Sequence, residues 1–210
     1  MIRYNVELAK EAFMFYGLAG SGLLYNLVIR KMIPAVWRQK CASMAQGRIL
    51  EVGVGTGLML PFYGPAAAEV VGVDLSSDML EQAAKSASDF SFPVELKQMD
   101  VESLRLEAGT FDTIVSAFVF CSVNHPLQGL SECRRVLRPG GRLILMEHVG
   151  SQKCWVSAFL KLLNPLSVLL LGDHLTRDTV GIAREAGFRI DRVERLHGDL
   201  VILAVGTVEK

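Results

Sequence analysis

The sequence predicts an α/β protein built around a mainly parallel β-sheet, and three observations predict it. From Arg48 onward, short apolar runs alternate with helical segments, which is the order that parallel βαβ units require. The last two runs are separated by the short turn His197-Gly198-Asp199, so we expect an antiparallel hairpin at the end of the sheet. The length of 210 residues suits one domain with a sizeable core.

Seven short β-rich runs define the strands. They are predicted at residues 48–53, 69–74, 94–99, 111–118, 142–148, 188–196 and 200–208. Helices are predicted between them at residues 77–88, 126–137 and 176–187. Ser76, Ser77 and Asp78 supply N-cap oxygens for the first of these helices. The run Arg138-Pro139-Gly140-Gly141 ends the second helix, because proline cannot continue a helix and glycine permits the turn.

The charge is balanced overall but divided unevenly along the chain. There are 22 basic and 22 acidic residues, and this absence of a net charge gives no support to nucleic-acid binding. Residues 1–46 contain six basic and two acidic residues, so this segment stands at +4 and the remainder at −4. The cysteines lack CxxC spacing, so we predict reduced, mostly buried thiols and no metal site. They are Cys41, Cys121, Cys133 and Cys154.

Two segments concentrate the apolar character of a chain whose mean hydropathy is +0.33. Residues 6–37 carry an apolar stripe at helical spacing beside basic residues, a pattern typical of helices at the surface of an anionic membrane. Residues 151–171 form a second apolar segment, interrupted by Pro165. Neither has the length and apolar continuity of a membrane-spanning helix, and no signal peptide is recognisable.

These segments predict the domain organisation. Residues 1–46 are expected to form an N-terminal helical lid, which either caps a pocket alone or also contacts a membrane surface. Residues 47–210 are expected to form the main domain, in which the insert 151–171 either packs as core or walls a lipophilic cavity. Two apolar covers over one pocket indicate a small apolar ligand. We expect a cytoplasmic protein that is peripheral on the membrane if the lid contacts lipid.

A glycine-rich run follows the first predicted strand. Its sequence is Glu51-Val52-Gly53-Val54-Gly55-Thr56-Gly57, and Asp74 ends the second strand 21 residues after Gly53. Glycines let a ligand approach the backbone closely, and a carboxylate at that strand end can accept both hydroxyls of a ribose. The alternative is a plain glycine turn with a surface aspartate. Leu58 occupies the place where a dinucleotide fingerprint needs Gly or Ala, which disfavours NAD and FAD.

The glycine run resembles motif I of the class I S-adenosylmethionine-dependent methyltransferases, and further matches follow in order. VVGVDLSSDML, QMDVESL, FDTIVSAFVF and RRVLRPGGRLILME resemble the later motifs of the same family. The resemblance covers residues 45–208. It implies a Rossmann-like, doubly wound, seven-stranded sheet with one antiparallel strand near an edge, and it implies S-adenosyl-L-methionine as the cofactor.

The same resemblance implies which residues bind the cofactor. Gly53, Gly55 and Gly57 would face its methionine part, and Glu51 would reach its amino group through water. Asp74 would hold the ribose. The adenine side would be formed by Leu75, Met79, Met99, Asp100 and Val101. Ala117 would offer its backbone to the amino group, and Tyr16 in the lid would close over the cofactor.

The acceptor is expected to border residues 118–126, which follow the fourth strand. This stretch lacks the Asn/Asp-Pro-Pro-Tyr motif of enzymes that methylate nucleic-acid amines. FCSV, LRPGGRLILMEHV, NPL and GDHLTRDT resemble soluble bacterial phosphatidylethanolamine N-methyltransferases and alkyl-thiol methyltransferases, with ubiquinone/menaquinone C-methyltransferases as neighbours. We therefore expect a small-molecule or lipid acceptor, an anionic membrane surface as a partner, and no nucleic acid.

The acceptor must lose a proton, and four side chains are predicted near the mouth of the site. His148 is the preferred catalytic base, with Glu147, Asp173 and His174 as the other candidates. The alternative for His148 is a structural histidine that only donates and accepts hydrogen bonds. A rival from another functional class is a non-catalytic module on the same fold that senses the cofactor or binds membranes.

Overall fold

A computed structural model describes residues 33–85, 87, 90–150, 162, 164–165, 168, 174–196 and 200–208. The elements in this part of the chain are numbered in order. The helices are α1 (Ala35–Ala42), α2 (Ser77–Ala84), α3 (Pro126–Val136) and α4 (Thr179–Glu185). The strands are β1 (Gly47–Val52), β2 (Ala67–Asp74), β3 (Val94–Gln98), β4 (Phe111–Ala117), β5 (Leu137–His148), β6 (Arg189–Leu196) and β7 (Val201–Thr207). Two 3₁₀ turns, Leu60–Phe62 and Val101–Ser103, complete the described elements.

The seven strands form one sheet in the order β3-β2-β1-β4-β5-β7-β6. β1 to β5 run parallel to one another, and β7 pairs antiparallel with both β5 and β6. The predicted mainly parallel sheet with one antiparallel strand near an edge is therefore confirmed. In such a sheet the carboxyl ends of β1, β2, β4 and β5 meet at one edge, and ligands bind there in open α/β folds.

Both faces of the central strands are buried, as expected for a parallel sheet. Side chains alternate along each strand, so Leu143 and Leu145 pack on the face covered by α3 and α4. Ile144 and Met146 pack on the opposite face, together with Cys41 at the end of α1. No helix in the described ranges is long and apolar enough to cross a bilayer.

Three elements have a boundary that differs from the prediction by more than two residues. β5 begins at Leu137 rather than at 142, because Leu137 pairs with Phe111 and the register then shifts before Arg142. α2 ends at Ala84, with Lys85 as its C-cap, rather than at 88. α4 begins at Thr179 rather than at 176 and ends at Glu185, and the Asp178 side chain caps it by accepting the Gly181 N–H.

Part of the predicted N-terminal lid lies among the described residues and packs on the body of the protein. Cys41 and Ala42 of α1 are fully buried. The Arg142 guanidinium donates to the Met44 carbonyl at 2.9 Å, and Lys40 forms an ion pair with Glu194 of β6. Residues 1–32 and most of the insert 151–171 lie outside the described residues, so the two apolar covers stay predictions.

The edge strand β6 carries charged side chains that pair along its own length. Arg189 lies 2.8 Å from Asp191, and Arg192 lies 2.8 Å from Glu194. Four of the eight residues of β6 are thus members of ion pairs at the open edge of the sheet. Charged edges of this kind are common in open sheets.

Gly72 of β2 provides a test of how the site is packed against the sheet. A Cβ at Gly72 would lie 2.9 Å from Leu96 Cδ2 and 3.0 Å from Val54 Cγ2. Gly72→Ala should therefore lower the free energy of unfolding in urea by about 1–3 kcal/mol through overpacking. The matched control is Gly64→Ala, where nothing lies within 4 Å of the added Cβ. Equal effects of the two substitutions would contradict the packing around β2.

Candidate cofactor and acceptor site

The glycine run forms a loop whose three glycines all have left-handed backbone conformations. Their φ angles are 64° at Gly53, 54° at Gly55 and 79° at Gly57. A Cβ at Gly53 would lie 2.3 Å from Val119 Cγ2, so this glycine also permits close contact with the segment after β4. At Gly55 the nearest atom to an added Cβ is the Gly53 carbonyl oxygen, 4.0 Å away. The loop therefore leaves open space at Gly55, where a ligand can approach the backbone.

Asp74 lies at the end of β2, directly beside this loop. Its Oδ2 accepts the Gly55 N–H at 2.8 Å, and its Oδ1 accepts the Ser76 N–H at 2.9 Å. Burial raises the pKa of Asp74, and these backbone hydrogen bonds oppose that rise. The Leu75 N–H also binds this carboxylate, and because a carboxylate has about four acceptor positions in all, Asp74 can still accept a hydroxyl group. The arrangement therefore fits the ribose role predicted for Asp74.

Glu51 lies beneath the loop and is only 4% exposed. Its Oε2 accepts a hydrogen bond from the Tyr63 hydroxyl at 2.9 Å. Burial raises the pKa of Glu51 to about 8, and the negative charge of Asp74 adds to the rise. A buried carboxyl group of this kind is neutral unless a positive charge comes close to it. A cationic ligand above the loop would favour its ionised form.

A shallow cleft of about 300 Å³ opens beside the ends of β2 and β3. It is lined by Leu75, Gln98, Met99, Asp100, Ser103 and Arg105. Leu75, Met99 and Asp100 were predicted from the sequence, and the structure brings these three together. Leu75 is an apolar side chain that is 52% exposed, which suits an uncovered platform for a flat aromatic ligand.

The other two residues predicted on the adenine side are placed differently. Val101 buries its side chain in the core against the α3 face, so any contact with a ligand would come from its backbone. Met79 is half-buried in the first turn of α2, where its N–H donates to the Ser76 hydroxyl. Neither lines the cleft.

Sequence reasoning missed Gln98, Ser103 and Arg105. The Gln98 side chain donates to the Leu75 carbonyl at 2.8 Å and so joins the ends of β2 and β3. The one signal for it was its place beside Met99, at the end of a predicted strand next to the Asp74 strand. Ser103 ends a short 3₁₀ turn that no periodicity reveals, and Arg105 follows that turn.

The end of β4 and the residues after it lie on the other side of the glycine loop. Ala117 ends β4 opposite Met146, and the Phe118 N–H donates to the Met146 carbonyl at 2.7 Å. Phe118 has a φ of 58°, and its ring centroid lies 4.7 Å from that of His148. His148, the predicted base, is half-buried at the end of β5 and therefore lies beside the predicted acceptor segment.

The remaining predicted proton acceptors differ in their surroundings. Glu147 is fully buried, and burial raises its pKa to about 7. Its Oε1 accepts backbone N–H groups of the segment after β4, so the structure gives it a role in holding that segment rather than at an open mouth. His174 is half-buried, and its N–H donates to the Cys121 carbonyl at 3.0 Å. Asp173 and Tyr16 lie outside the described residues.

Among the described residues, no group of three or more His, Cys, Asp or Glu side chains could hold a metal ion. The described cysteines, Cys41, Cys121 and Cys133, are buried free thiols. Burial raises the pKa values of Cys41 and Cys133 well above their ordinary values, which keeps these thiols protonated.

Comparison with known proteins gives consistent results. Residues 50–145 match the family model described as "Methyltransferase domain". A phosphatidylethanolamine N-methyltransferase of Cereibacter sphaeroides is 43% identical over 109 residues, which cover 51% of this chain and about half (53%) of that protein. A ubiquinone/menaquinone biosynthesis C-methyltransferase, UbiE, of Syntrophotalea carbinolica is 31% identical over 207 residues, covering 87% of each chain.

The fold is shared with solved structures at low sequence identity. A SAM-dependent methyltransferase from Thermotoga maritima superposes with a TM-score of 0.67 at 20% identity, covering 97% of this chain and 99% of that one. At this identity the match supports the fold alone.

The contact between Gly53 and Val119 can be tested by a double-mutant cycle. Gly53→Ala should weaken binding of S-adenosylhomocysteine by about tenfold or more, because the added Cβ clashes with Val119 Cγ2 and the backbone is left-handed. Val119→Ala alone should change binding by less than about threefold. The double variant should regain part of the loss in isothermal titration calorimetry. Additive losses would show that the two loops do not touch.

The buried state of Glu51 predicts a pH-dependent gain in stability for Glu51→Gln. The folded chain holds the Glu51 proton up to about pH 8, whereas the ordinary pKa is 4.5, so this group lowers stability as pH rises through that window. The glutamine avoids this loss in the free energy of unfolding, which reaches about 4 kcal/mol. Its side-chain oxygen can still accept the Tyr63 hydrogen bond.

The melting temperatures of the unaltered chain and of Glu51→Gln should therefore agree near pH 4.5 and diverge by pH 8.5, with the variant more stable. Asp74 and Glu147 are present in both proteins, so the difference isolates Glu51. The exposed Glu107→Gln serves as the control and should show no such divergence. A difference that is the same at both pH values would contradict the buried, proton-holding state of Glu51.

Proposed function

The chain belongs to the S-adenosylmethionine-dependent methyltransferases, and we propose that it methylates a small lipophilic or lipid acceptor, with the amine of phosphatidylethanolamine favoured. The observation that supports the enzyme class most directly is the glycine loop tied to Asp74 beside an open cleft. Membership of the family gives the enzyme class, whereas the identity of the acceptor is our proposal.

The residues of the site fit the cofactor in three respects. Space is open above Gly55, the Asp74 carboxylate retains acceptor capacity for a hydroxyl group, and the cleft with Leu75 suits adenine. When bound, S-adenosylmethionine supplies a methyl group on a positively charged sulfur. Glu51 would provide a compensating negative charge under the methionine part. Asp74 would fix the ribose.

The chain's contribution to the transfer is then mainly positioning. A nucleophile aligned with the methyl carbon needs no covalent help from the protein, because holding two reactants in line supplies much of the rate. An amine acceptor must be neutral before it attacks. His148, beside Phe118 at the end of β5, is proposed to take that proton from the acceptor.

Two considerations support a lipid amine. The most identical relative reported above is a phosphatidylethanolamine N-methyltransferase, at 43% over half of this chain. The basic, apolar residues 6–37 and the apolar insert 151–171 suit an acceptor that sits in a membrane surface. Membrane contact by the N-terminal lid, residues 1–46, and closure of Tyr16 over the cofactor belong to this proposal.

A quinone precursor is the second candidate acceptor. The similarity to the Syntrophotalea C-methyltransferase extends over 87% of both chains, which is a longer match at lower identity. Both acceptors are apolar, so the same covers would serve either one. They differ in the attacking atom, which is nitrogen in the lipid amine and carbon in the quinone precursor, and alkyl thiols offer sulfur as a third.

Transfer of a tritiated methyl group to a panel of acceptors tests the proposal. The panel contains phosphatidylethanolamine vesicles, demethylated quinol precursors and alkyl thiols, and we expect label in the phospholipid. Asp74→Ala should weaken S-adenosylhomocysteine binding at least about tenfold, because a charged hydrogen-bond acceptor is lost. Asp78→Ala, an exposed aspartate in the next turn, is the matched control.

The outcomes separate the levels of the proposal. Label only in quinol precursors or thiols would replace the acceptor and leave the enzyme class standing. Tight cofactor binding without transfer to any acceptor would favour a cofactor-sensing module. We expect the intact chain to float with anionic vesicles and not with zwitterionic vesicles. Flotation with neither kind of vesicle would contradict the membrane contact.

A further inference from the structure

Residues 118–123, here called the acceptor segment, pass from one face of the sheet to the other directly after β4. Phe118 packs with His148 on the α1 face, whereas Phe120 is fully buried on the face of α3 and α4. The crossing places Phe118 in the left-handed region, at a φ of 58°. A non-glycine residue there is strained, so surrounding contacts must hold the segment in this shape.

Glu147 holds the acceptor segment from inside. Its Oε1 accepts the Val119 and Phe120 N–H groups, each at 3.1 Å, and the Ser116 hydroxyl at 3.3 Å. Successive N–H groups that converge on one acceptor form a nest, and here the acceptor is a side chain of the same protein. Within the described part of the chain, no donor reaches the second oxygen, Oε2. The hydrogen bonds that Glu147 accepts from this segment therefore converge on one atom, Oε1.

Arg177 holds the same segment from outside. Its Nη1 donates to the Phe120 carbonyl at 2.5 Å and to the Val123 carbonyl at 2.6 Å. The His174 N–H reinforces this side by donating to the Cys121 carbonyl. The N–H groups of the acceptor segment are therefore fixed by β5, and its carbonyl groups are fixed by the residues that precede α4.

The fixed segment lies directly against the glycine loop. Val119, whose N–H is bound by Glu147, has its side chain so close to Gly53 that a Cβ there would be 2.3 Å away. A shift of the segment would therefore change the space between the cofactor loop and the acceptor. Displacements of about 1 Å at such a place can reduce turnover about a hundredfold.

We propose that Glu147 and Arg177 are positioning residues for methyl transfer, which together fix the acceptor segment against the glycine loop. Neither is proposed to touch the cofactor or the reacting atoms. The inference rests on the methyltransferase activity of the family and not on the identity of the acceptor. It also assigns Glu147 a task different from that of the base, which remains with His148.

The design of the variants follows from the single acceptor atom. Glu147→Gln keeps an oxygen at the place of Oε1, whereas Glu147→Met keeps the volume and removes the acceptor. Arg177→Met removes the outer donor without touching the buried carboxyl group. Asp112→Asn is the matched control, because Asp112 also accepts a backbone N–H, that of Arg48, but does so at the opposite edge of the sheet.

Hydrogen exchange of the peptide that contains residues 118–124 is measured by mass spectrometry with S-adenosylhomocysteine bound. Glu147→Met and Arg177→Met should each speed exchange there by about tenfold or more, since buried hydrogen bonds are lost. Glu147→Gln and Asp112→Asn should stay within about threefold of the unaltered chain. This measurement needs no acceptor, so it stands even if phosphatidylethanolamine is not the substrate.

Turnover is measured with phosphatidylethanolamine vesicles, or with the panel acceptor that takes label. The kcat of Glu147→Met should fall about a hundredfold while the Kd for S-adenosylhomocysteine changes less than about fivefold, and Glu147→Gln should restore most of the kcat. A Gln variant as impaired as the Met variant would overturn the proposal, because charge rather than position would then matter. Unchanged exchange in Arg177→Met would also overturn it, and this variant decides the matter if Glu147→Met does not fold.

Discussion

Three carboxyl groups near the carboxyl ends of β1, β2 and β5 hold the loops of this site, and the hydrogen bond from Gly55 to Asp74 is the one on which the cofactor loop depends. Glu51, next to the last residue of β1, binds the Tyr63 hydroxyl. Asp74 ends β2 and binds the glycine loop, and Glu147 near the end of β5 binds the acceptor segment. Each acid thus accepts hydrogen bonds from a different element. The backbone donors of otherwise unpaired loops are satisfied by side chains of the sheet.

Placing acids in a buried edge has an electrostatic cost. Burial raises the pKa values of Glu51, Asp74 and Glu147, which means that each folded carboxyl group holds its proton more tightly than a free one. In the proposed binding mode, the positive charges of the cofactor's methionine part would offset this cost for Glu51.

Much of the fold could be predicted from the sequence because its signals are local. The strands β1, β2 and β4 each contain a short apolar core, Ile49-Leu50, Val70-Val71 and Ile114-Val115, and the glycine run directly follows the first of these strands. The start of β5 at Leu137 could not be predicted, since it depends on pairing with Phe111 across the sheet. The hydrogen bonds of Glu147 could not be predicted either. No local sequence signal distinguishes a carboxylate that accepts backbone N–H groups from the loop after another strand.

The ion pairs along β6 have a consequence for how copies of this protein can associate. Arg189 with Asp191, and Arg192 with Glu194, line the strand that ends the sheet. A second molecule that extended the sheet at this edge would have to strip water from four charged groups that are now partly hydrated. That desolvation opposes new strand pairing, so the charged open edge disfavours fibre-like stacking of copies.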